Sequence, residues 1–440
     1  MENPVRNFSM FIVPALVLVL TSCPSDAFDQ EPFDAVRDLT EVLAVFPGAE
    51  GFGTDTPAGR GGAVIRVTNL DDDGPGSLRA ALAMSGPRTI VFEVAGVIDA
   101  TEAMVIQNPL VTVAGQTAPS PGVTIIGAGL AIVTHDVLIQ HLRIRVGDRA
   151  VGPDPGGRDG ISVTGTPDGE THVGNVVIDH CSISWAIDEG CSTWNPGVHD
   201  VTFRQCIIGE NLSESLHPKG EHSKGMLIGD HCRRISVIGN LFAHNMQRNP
   251  LVKGDVSVLI VNNLVYNSGQ LAIHTSDPEG SGLSHATIIG NTLIRGPDTI
   301  RIVPMIWRSV DTKPGSHIYR RDNRIAKDAD STKTLFAFDP TVNIEPITLR
   351  ASGDVAEWVL STAGARPADR DETDLRMVSN VRNGDGGIID SQDEVGGFPS
   401  AAAVAQPLVI PDNPSADPDG NGYTNLEEWL HALAAEVEGH

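Results

Sequence analysis

Residues 258–265 read VLIVNNLV, a short run of β-branched and other apolar residues that includes two asparagines. Similar runs recur through the middle of the chain at intervals of roughly 23 to 40 residues, which is a sign of a repeat architecture. They are VLIQHLRI (137–144), VVIDHCSI (176–183), VTFRQCII (201–208), ISVIGNLF (235–242) and ATIIGNTL (286–293). In each of the six runs, one residue near the end occupies a roughly equivalent position. These residues are His141, Cys181, Cys206, Asn240, Asn263 and Asn291.

Recurring strands with insertions of variable length are typical of a β-solenoid, in which strands stack rung on rung and loops bulge from one side. Asn240, Asn263 and Asn291 are expected to form an internal ladder, each amide bonding to the next rung. The alternative is a β-sandwich, which would need tight Asn-Gly hairpin turns between neighbouring strands. Few such turns are present, so the sequence favours an all-β solenoid. Residues 77–83 (SLRAALA) predict a short capping helix at its N-terminal end, with Ser77 as the N-cap.

The formal net charge of −25 over 440 residues argues against nucleic acid as a partner. A polyanionic substrate would need local cations, supplied by Lys and Arg side chains or by a metal ion. The cysteines Cys181, Cys191, Cys206 and Cys232 form no C-x-x-C pair, so a zinc site built on them is not expected. Their disulfide connectivity cannot be read from the sequence.

The N-terminus predicts export. Residues 10–20 (MFIVPALVLVL) have the length of a signal-peptide core and are too short to span a membrane. The following LTSC resembles a bacterial lipobox, in which Cys23 would be lipidated; an ordinary signal peptide with a chance cysteine is the alternative. Residues 1–23 are therefore interpreted as a lipoprotein signal and 24–44 as a tether. The expected location is the bacterial cell envelope, as an outer-membrane lipoprotein or a secreted protein, with membrane contact only through the lipid.

Several motifs in a fixed order resemble the pectate lyases of polysaccharide lyase family 1. They cover about residues 45–300 and are FPGAEGFG (46–53), GRGG (59–62), VTNLDDDGPGSLRAAL (67–82), VAGQTAP (113–119), NVVIDHCSISW (175–185), HSKGMLIGD (222–230) and RNPLVK (248–253). The resemblance implies a right-handed parallel β-helix over residues 45–400, a monomer acting on polygalacturonate, and a Ca²⁺ cofactor.

The resemblance also implies roles for individual residues. Arg248 matches the arginine that removes the C5 proton of the sugar, Lys224 matches a lysine that binds the substrate carboxylate, and Lys253 stands where a second arginine is usual. Asp159 and Glu189 match calcium ligands. Gly157 and Thr193 stand where further aspartates are expected, and Asp188 is a possible substitute.

The chemistry explains why these residue types are needed. β-Elimination removes a weakly acidic proton next to a carboxylate, so Ca²⁺ and fixed cations lower the cost of the negative charge that develops. A guanidinium is normally always protonated, and a base at Arg248 therefore requires surroundings that lower its pKa. His217, Lys219 and His222 lie in a loop (LHPKGEH) that could bind substrate or a metal, or could be a merely polar loop.

The C-terminal tail, residues 401–440, contains DPDGNGYTNLEE at 417–428, which fits the calcium-loop pattern of an EF-hand. A helix is expected after the loop and none before it, so the tail is interpreted as half an EF-hand with a structural role. An acidic turn without an ion is the alternative. The predicted ligands are Asp417, Asp419, Asn421, the Tyr423 carbonyl, Asn425 and Glu428.

Three functions follow from these observations. The first is a lyase that cleaves α-1,4-linked polygalacturonate to 4,5-unsaturated oligogalacturonides. The second is a hydrolase on the same fold that uses Asp159, Asp179, Asp188 and Glu189 as carboxylate pairs. The third is a surface protein that binds a polyuronate without cleaving it. Alginate or another uronide also remains open as the substrate.

Overall fold

The computed structural model describes residues 43–326, 347–400 and 402–440. The signal segment 1–23, with Cys23, and residues 24–42 of the predicted tether lie outside this part. Short strands dominate the described chain. They are β1 Ala63–Val67, β2 Arg88–Phe92, β3 Val94–Asp99, β4 Met104–Ile106, β5 Val111–Ala114, β6 Val123–Ile126, β7 Leu130–Ile132, β8 Val137–Gln140, β9 Arg143–Arg145, β10 Ile161–Thr164, β11 Val173–Asp179, β12 Ser182–Ser184, β13 Glu189–Trp194, β14 Val198–Arg204, β15 Ile207–Gly209, β16 Lys224–Ile228, β17 Arg233–Ile238, β18 Leu241–Ala243, β19 Leu251–Val252, β20 Ser257–Val261, β21 Leu264–Tyr266, β22 Ile273–Thr275, β23 His285–Ile289, β24 Thr292–Ile294, β25 Ile306–Arg308, β26 His317–Arg321, β27 Arg324–Ile325 and β28 Val404–Ala405.

These strands form three long sheets that run side by side. Sheet A has the order β1-β2-β5-β8-β11-β14-β17-β20-β23-β26, sheet B β25-β22-β19-β16-β13-β10-β7-β4, and sheet C β27-β24-β21-β18-β15-β12-β9-β6-β3-β28. Neighbouring strands pair in parallel, apart from β28, which runs antiparallel to β3. A chain that visits three sheets in turn and then returns one rung further along is a parallel β-helix, which confirms the predicted fold class.

Apolar side chains stack in register through the interior. In sheet A, one such column is fully buried and takes one residue from each strand. It consists of Ile139, Ile178, Phe203, Val237, Ile260 and Ile288. The β-branched residues of the repeat therefore form strands because each packs against the equivalent residue above and below it. Cys181, Cys191, Cys206 and Cys232 are buried in the same core as free thiols.

The asparagine ladder is present and runs one rung further than the sequence indicated. The Nδ2 of Asn240 donates to Asn263 Oδ1 at 3.0 Å, that of Asn263 to Asn291 at 2.9 Å, and that of Asn291 to Asn323 at 2.8 Å. His141 was aligned one position too early, because the register of β8 with β11 brings Leu142, not His141, level with Cys181. His141 and His180 instead share the preceding corner position.

Helices cover the N-terminal end and parts of the outer surface of the solenoid. They are α1 Leu78–Ala83, α2 Ser352–Thr362, α3 Glu372–Asn383 and α4 Asn425–Glu438, with 3₁₀ turns at Gly115–Thr117, Pro155–Gly157 and Gln392–Val395. The predicted capping helix is α1, where the Ser77 side chain accepts a hydrogen bond from the Ala80 N–H. Helices α2 and α3 bury apolar residues against sheet C. No helix in the described ranges is both long and apolar enough to cross a membrane.

Within the described residues, the rungs of the solenoid run as far as β26 and β27. Helices α2 and α3, which lie before the predicted boundary at residue 400, pack on the outside of sheet C. The tail returns to the N-terminal rungs, where Leu426 and Leu430 of α4 bury their side chains beside Ala114.

Candidate active site

Four adjacent rungs of sheet B place four charged residues in one column. Glu189, the first residue of β13, pairs directly with Lys224, the first residue of β16. Asp159 lies two residues before Ile161, which pairs with Cys191, so Asp159 stands beside Glu189. A bridge pairs Lys224 with Gln247, and Arg248, one residue further along, extends its guanidinium to Glu189. The order along the column is Asp159, Glu189, Lys224, Arg248, although nearly ninety residues of chain separate its ends.

Three carboxylates meet at one end of this column. Oxygens of Asp159, Asp188 and Glu189 all lie within 4.8 Å of one another. Asp159 accepts hydrogen bonds from the Glu189 N–H at 3.0 Å and from the Ser192 hydroxyl at 2.5 Å. Burial and the charge of Asp188 together raise the pKa of Asp159 to about 7. A group of oxygen donors whose negative charge is this crowded fits a calcium ion, which takes six to eight oxygens, including water and substrate.

Arg248 lies against this carboxylate cluster. Its guanidinium forms an ion pair with Glu189. Burial lowers the pKa of Arg248, whereas the charges of Asp188 and Asp159 act in the opposite direction. Its backbone is in the left-handed region, with φ 63°. Burial therefore favours loss of the guanidinium proton, whereas the neighbouring carboxylates oppose it.

Lys224 is the cation of the column that lacks a partner. The residue is 6% exposed, and no hydrogen bond or ion pair of its ammonium group exists within the part of the chain that the structure describes. Burial lowers the pKa of Lys224 to about 8, and the charges of Glu221 and Asp188 moderate this effect. An ammonium group held without a counter-ion next to a carboxylate cluster can bind an incoming anion.

Two of the predicted loop residues, His217 and His222, lie next to Asp188 of the carboxylate cluster. His217 and His222 stack with their ring centroids 3.6 Å apart. The Nε2 of His222 lies 2.7 Å from Asp188 Oδ1, and that of His217 lies 3.4 Å from the same oxygen. His222 therefore holds Asp188 through a hydrogen bond, and His217 stacks on the His222 ring. Lys219 is exposed at the tip of the loop.

Lys253 is not part of the column. Its ammonium group lies 3.1 Å from Asp230 and 2.5 Å from Glu279, and 5.7 Å from the ring centroid of Trp194. Five residues of extended chain correspond to about 16 Å, so Arg248 and Lys253 belong to separate clusters at the two ends of β19. The RNPLVK motif (248–253) thus does not bring its two cations together.

Two positions that looked like missing calcium ligands have other surroundings. Thr193 pairs with Val163 and Ile228, both core residues, and is itself fully buried, so its side chain faces the interior of the solenoid. Gly157 ends an exposed 3₁₀ turn. Asp179, proposed for a hydrolase, ends β11 in sheet A, whereas the other carboxylates of that proposal lie at sheet B.

The structure adds residues that the sequence did not single out. His274 pairs with Leu251 on the neighbouring strand, on the outer face of sheet B, and burial lowers the pKa of His274 to about 4.

A second buried chain of amide side chains runs behind the column. Asn211 donates to the carbonyl of Lys224 at 2.8 Å and to Asn245 at 3.1 Å, and Asn245 donates to Asn249 at 3.1 Å. The loops between the sheet B strands differ in length, so no sequence alignment of the repeats could reveal these positions.

The tail loop folds as a turn closed by its own side chains. Asp417 accepts from the N–H groups of Gly420 at 2.8 Å and Gly422 at 2.9 Å. The amide of Asn421 donates to Asp419 at 3.1 Å and to Glu428 at 2.9 Å.

One of the predicted tail ligands, Asn425, has contacts outside the loop, whereas Tyr423 bonds through its N–H within the loop. The amide of Asn425 donates to the carbonyls of Asp412 and Asn413, outside the loop. The Tyr423 N–H donates to Asn421 Oδ1 at 2.8 Å. The helix that was expected after the loop is α4, which Thr424 caps.

Solved structures with the same architecture include the cedar-pollen allergen jun a 1, with a TM-score of 0.50 and 20% identity over 71% of this chain and 91% of the allergen. A pectate lyase from Bacillus sp. N165 in complex with trigalacturonate gives a TM-score of 0.51 and 16% identity over 72% of this chain and 98% of that protein. At these identities the likeness establishes the fold.

Relatives in sequence establish the family, although no protein-family model matches the chain. A probable pectate lyase C of Aspergillus flavus is 32% identical over 429 residues, 90% of this chain and 95% of the fungal protein. A protein of the same name from Neosartorya fischeri is 32% identical over 433 residues, 91% of this chain and 96% of its own length. The chain therefore belongs to the pectate lyase family, the parallel β-helix enzymes of polysaccharide lyase family 1.

Proposed function

We propose that this protein is a calcium-dependent pectate lyase that cleaves de-esterified α-1,4-linked polygalacturonate by β-elimination. The observation that carries the proposal is the column in sheet B, where a cluster of three carboxylates adjoins an unpartnered ammonium group and a partly buried guanidinium. Family membership supports the same reaction and the same products, 4,5-unsaturated oligogalacturonides.

Asp159, Asp188 and Glu189 would hold the calcium ion. When bound, it supplies a positive charge that stabilises the negative charge developing on the uronide. The stacked rings of His217 and His222 position Asp188, and the Ser192 hydroxyl positions Asp159. Side chains that fix ligand orientation in this way contribute to metal affinity without touching the ion.

Lys224 binds the C6 carboxylate of the sugar at the scissile bond. Its ammonium group is desolvated, so a contact with a carboxylate is stronger there than in water. As negative charge spreads from C5 to this carboxylate in the transition state, a fixed positive charge at Lys224 becomes more favourable.

Arg248 removes the C5 proton. In the free protein the neighbouring carboxylates favour the guanidinium form, whereas burial favours the neutral form. Once the charges of Asp159, Asp188 and Glu189 are balanced, burial and the nearby Lys224 ammonium remain as the dominant influences, and both lower the pKa of Arg248. The neutral group can then accept the proton.

The other functions have less support. A hydrolase would need pairs of carboxylates on either side of the scissile bond, yet Asp179 lies at sheet A, bonded to Gln140 and Arg204. A binding protein without activity would have no use for a buried, unpartnered lysine near a partly buried arginine. The structure gives no reason to prefer either.

We place the enzyme outside the cytoplasm, exported by residues 1–23. Lipidation at Cys23, with anchoring in a bacterial envelope, is the finer form of this proposal and is supported by the LTSC motif alone. The sequence relatives described above are fungal proteins, so they do not support a bacterial lipid anchor. Mass spectrometry of the mature N-terminus tests the point, because a lipidated cysteine adds the mass of its acyl chains.

The test of function follows the ultraviolet absorbance of the unsaturated uronide during incubation with polygalacturonate, with calcium and then with a chelator. Calcium-dependent absorbance is expected, and Arg248→Ala should lower the rate by at least about a hundredfold. Arg382→Ala is the matched control, because that arginine pairs with Glu357 on the surface of α3, away from sheet B. Release of reducing ends without absorbance would establish hydrolysis instead, and an Arg248→Ala enzyme of normal rate would remove Arg248 from the mechanism.

A further inference from the structure

A second cluster of metal-ligating side chains lies at the corner between sheets A and C. His141 and His180 occupy equivalent corner positions on consecutive rungs, after β8 and β11. Their rings stack with centroids 5.4 Å apart. Glu438, the last residue of α4, reaches both rings, and Asp179 lies beside them. One ligand atom from each of the four residues lies within 4.8 Å of the others.

We propose that His141, His180, Glu438 and Asp179 form a binding site for a divalent transition metal ion of the zinc class. This site is distinct from the carboxylate cluster of sheet B, since none of its residues belongs to that sheet. It fastens the C-terminal end of α4 to the solenoid and has a structural role.

The spacing of the ligand atoms supports the assignment. Glu438 Oε1 lies 3.4 Å from His141 Nε2 and 3.6 Å from His180 Nδ1, and Asp179 Oδ1 lies 3.1 Å from His180 Nδ1. Ligands bound at zinc distances of about 2.0–2.1 Å in a tetrahedron are about 3.3 Å apart. The observed separations bracket that value.

The hydrogen bonds of His141 support it independently. Its Nδ1 lies 2.7 Å from the carbonyl oxygen of Ala365, which can only accept, so Nδ1 carries a proton. In the neutral ring, Nε2 then carries no proton, and its lone pair is directed at the Glu438 carboxylate. The residue is fully buried and Nε2 makes no hydrogen bond, and Nδ1 of His180 is likewise buried without one. A ring nitrogen held in one tautomer by a carbonyl is the usual arrangement of a histidine that binds zinc.

Charge and access also suit a divalent cation. Two carboxylates face the doubly charged ion, and the Arg204 guanidinium that pairs with Asp179 offsets one of their two negative charges. The bonds from Gln140 and Arg204 orient the Asp179 carboxylate. A cavity of about 350 Å³, lined in part by His180, Arg204 and Glu438, opens beside the cluster. An ion can therefore reach the ligands from solvent. The mixed nitrogen and oxygen donors select a transition metal over calcium, which prefers oxygen alone.

The experiment uses the untagged protein, freed of metal with a chelator and returned to excess Ca²⁺ so that calcium sites are filled. Zn²⁺ binding is measured by equilibrium dialysis with elemental analysis, and Co²⁺ is added separately to record the visible absorption of a tetrahedral centre. Glu438→Gln removes one carboxylate ligand at the partly exposed C-terminal end of the last helix. Glu436→Gln is the matched control, because Glu436 is exposed one half-turn away on the same helix.

We expect the wild type and Glu436→Gln to bind Zn²⁺ at the corner site. Glu438→Gln should bind Zn²⁺ there at least about tenfold more weakly. At the same free Zn²⁺ concentration, the unfolding temperature of the first two proteins should rise more than that of Glu438→Gln. Equal Zn²⁺ affinity in all three proteins would place any bound zinc elsewhere. A wild type that takes up neither Zn²⁺ nor Co²⁺ would show that the four residues form an ion-pair network with protonated histidines, and the proposal would be wrong.

Discussion

Replacing Asp159 by asparagine should change how the stability of the calcium-free protein depends on pH. Burial and the charge of Asp188 raise the pKa of Asp159 to about 7 in the folded protein. An aspartate in an unfolded chain has a pKa near 3.9. The folded state therefore holds this proton more tightly, and its contribution to stability is complete below about pH 4 and lost as the pH rises through about 7.

The size of the effect follows from the difference between the two pKa values. About three pKa units at about 1.4 kcal/mol each correspond to roughly 4 kcal/mol of unfolding free energy. Asp159 is partly open to solvent and titrates together with Asp188, so this figure is an upper bound for the pair of carboxylates. Calcium binds the ionised carboxylates and should flatten the pH dependence.

Urea unfolding in chelator from about pH 4 to about pH 8 measures this effect, with wild type and Asp159→Asn compared at each pH. The wild type should lose up to about 4 kcal/mol more than the variant over this range, and added calcium should restore most of the loss. Asp73→Asn, at an exposed carboxylate, controls for the change in net charge. Parallel pH curves for wild type and Asp159→Asn would refute the reasoning, because they would mean that Asp159 ionises as easily in the folded protein as in the unfolded chain.

Three further predictions concern other parts of the molecule. Lys224→Met should lower the lyase rate about a hundredfold without loss of stability, since it removes a buried charge that has no partner. In the wild type, kcat/KM should fall above about pH 8, because Lys224 in the free enzyme, with its pKa lowered to about 8, then loses its proton. Asn263→Ala should cost about 2–4 kcal/mol of unfolding free energy, measured in urea, because it leaves buried groups of both neighbouring rungs without partners, and a cost below about 1 kcal/mol would contradict the ladder. Glu428→Gln should reduce bound calcium by one equivalent in calorimetric titration if the tail loop binds the ion, and unchanged stoichiometry would show that the loop is an ion-free turn.

The amino-acid sequence by itself determines the fold of this protein. The β-branched runs around residues 137–293 repeat because every rung needs the same apolar column inside, and local spacing is enough to reveal that repetition. The asparagine positions follow for the same reason, since each amide needs an equivalent amide on the next rung. The fourth, Asn323, was missed because the run that contains it lacks the apolar pattern of the others.

Only the tertiary structure decides which charged residues act together. Asp159 and Arg248 are far apart in the chain, and the stacking of four rungs makes them near neighbours. Arg248 and Lys253 are close in the chain, yet a single strand carries them to separate clusters. The corner site of His141, His180 and Glu438 depends on where α4 returns to the solenoid. Loop lengths between rungs and the docking of a distant helix are set by packing over the whole molecule, and no local pattern in the sequence records them.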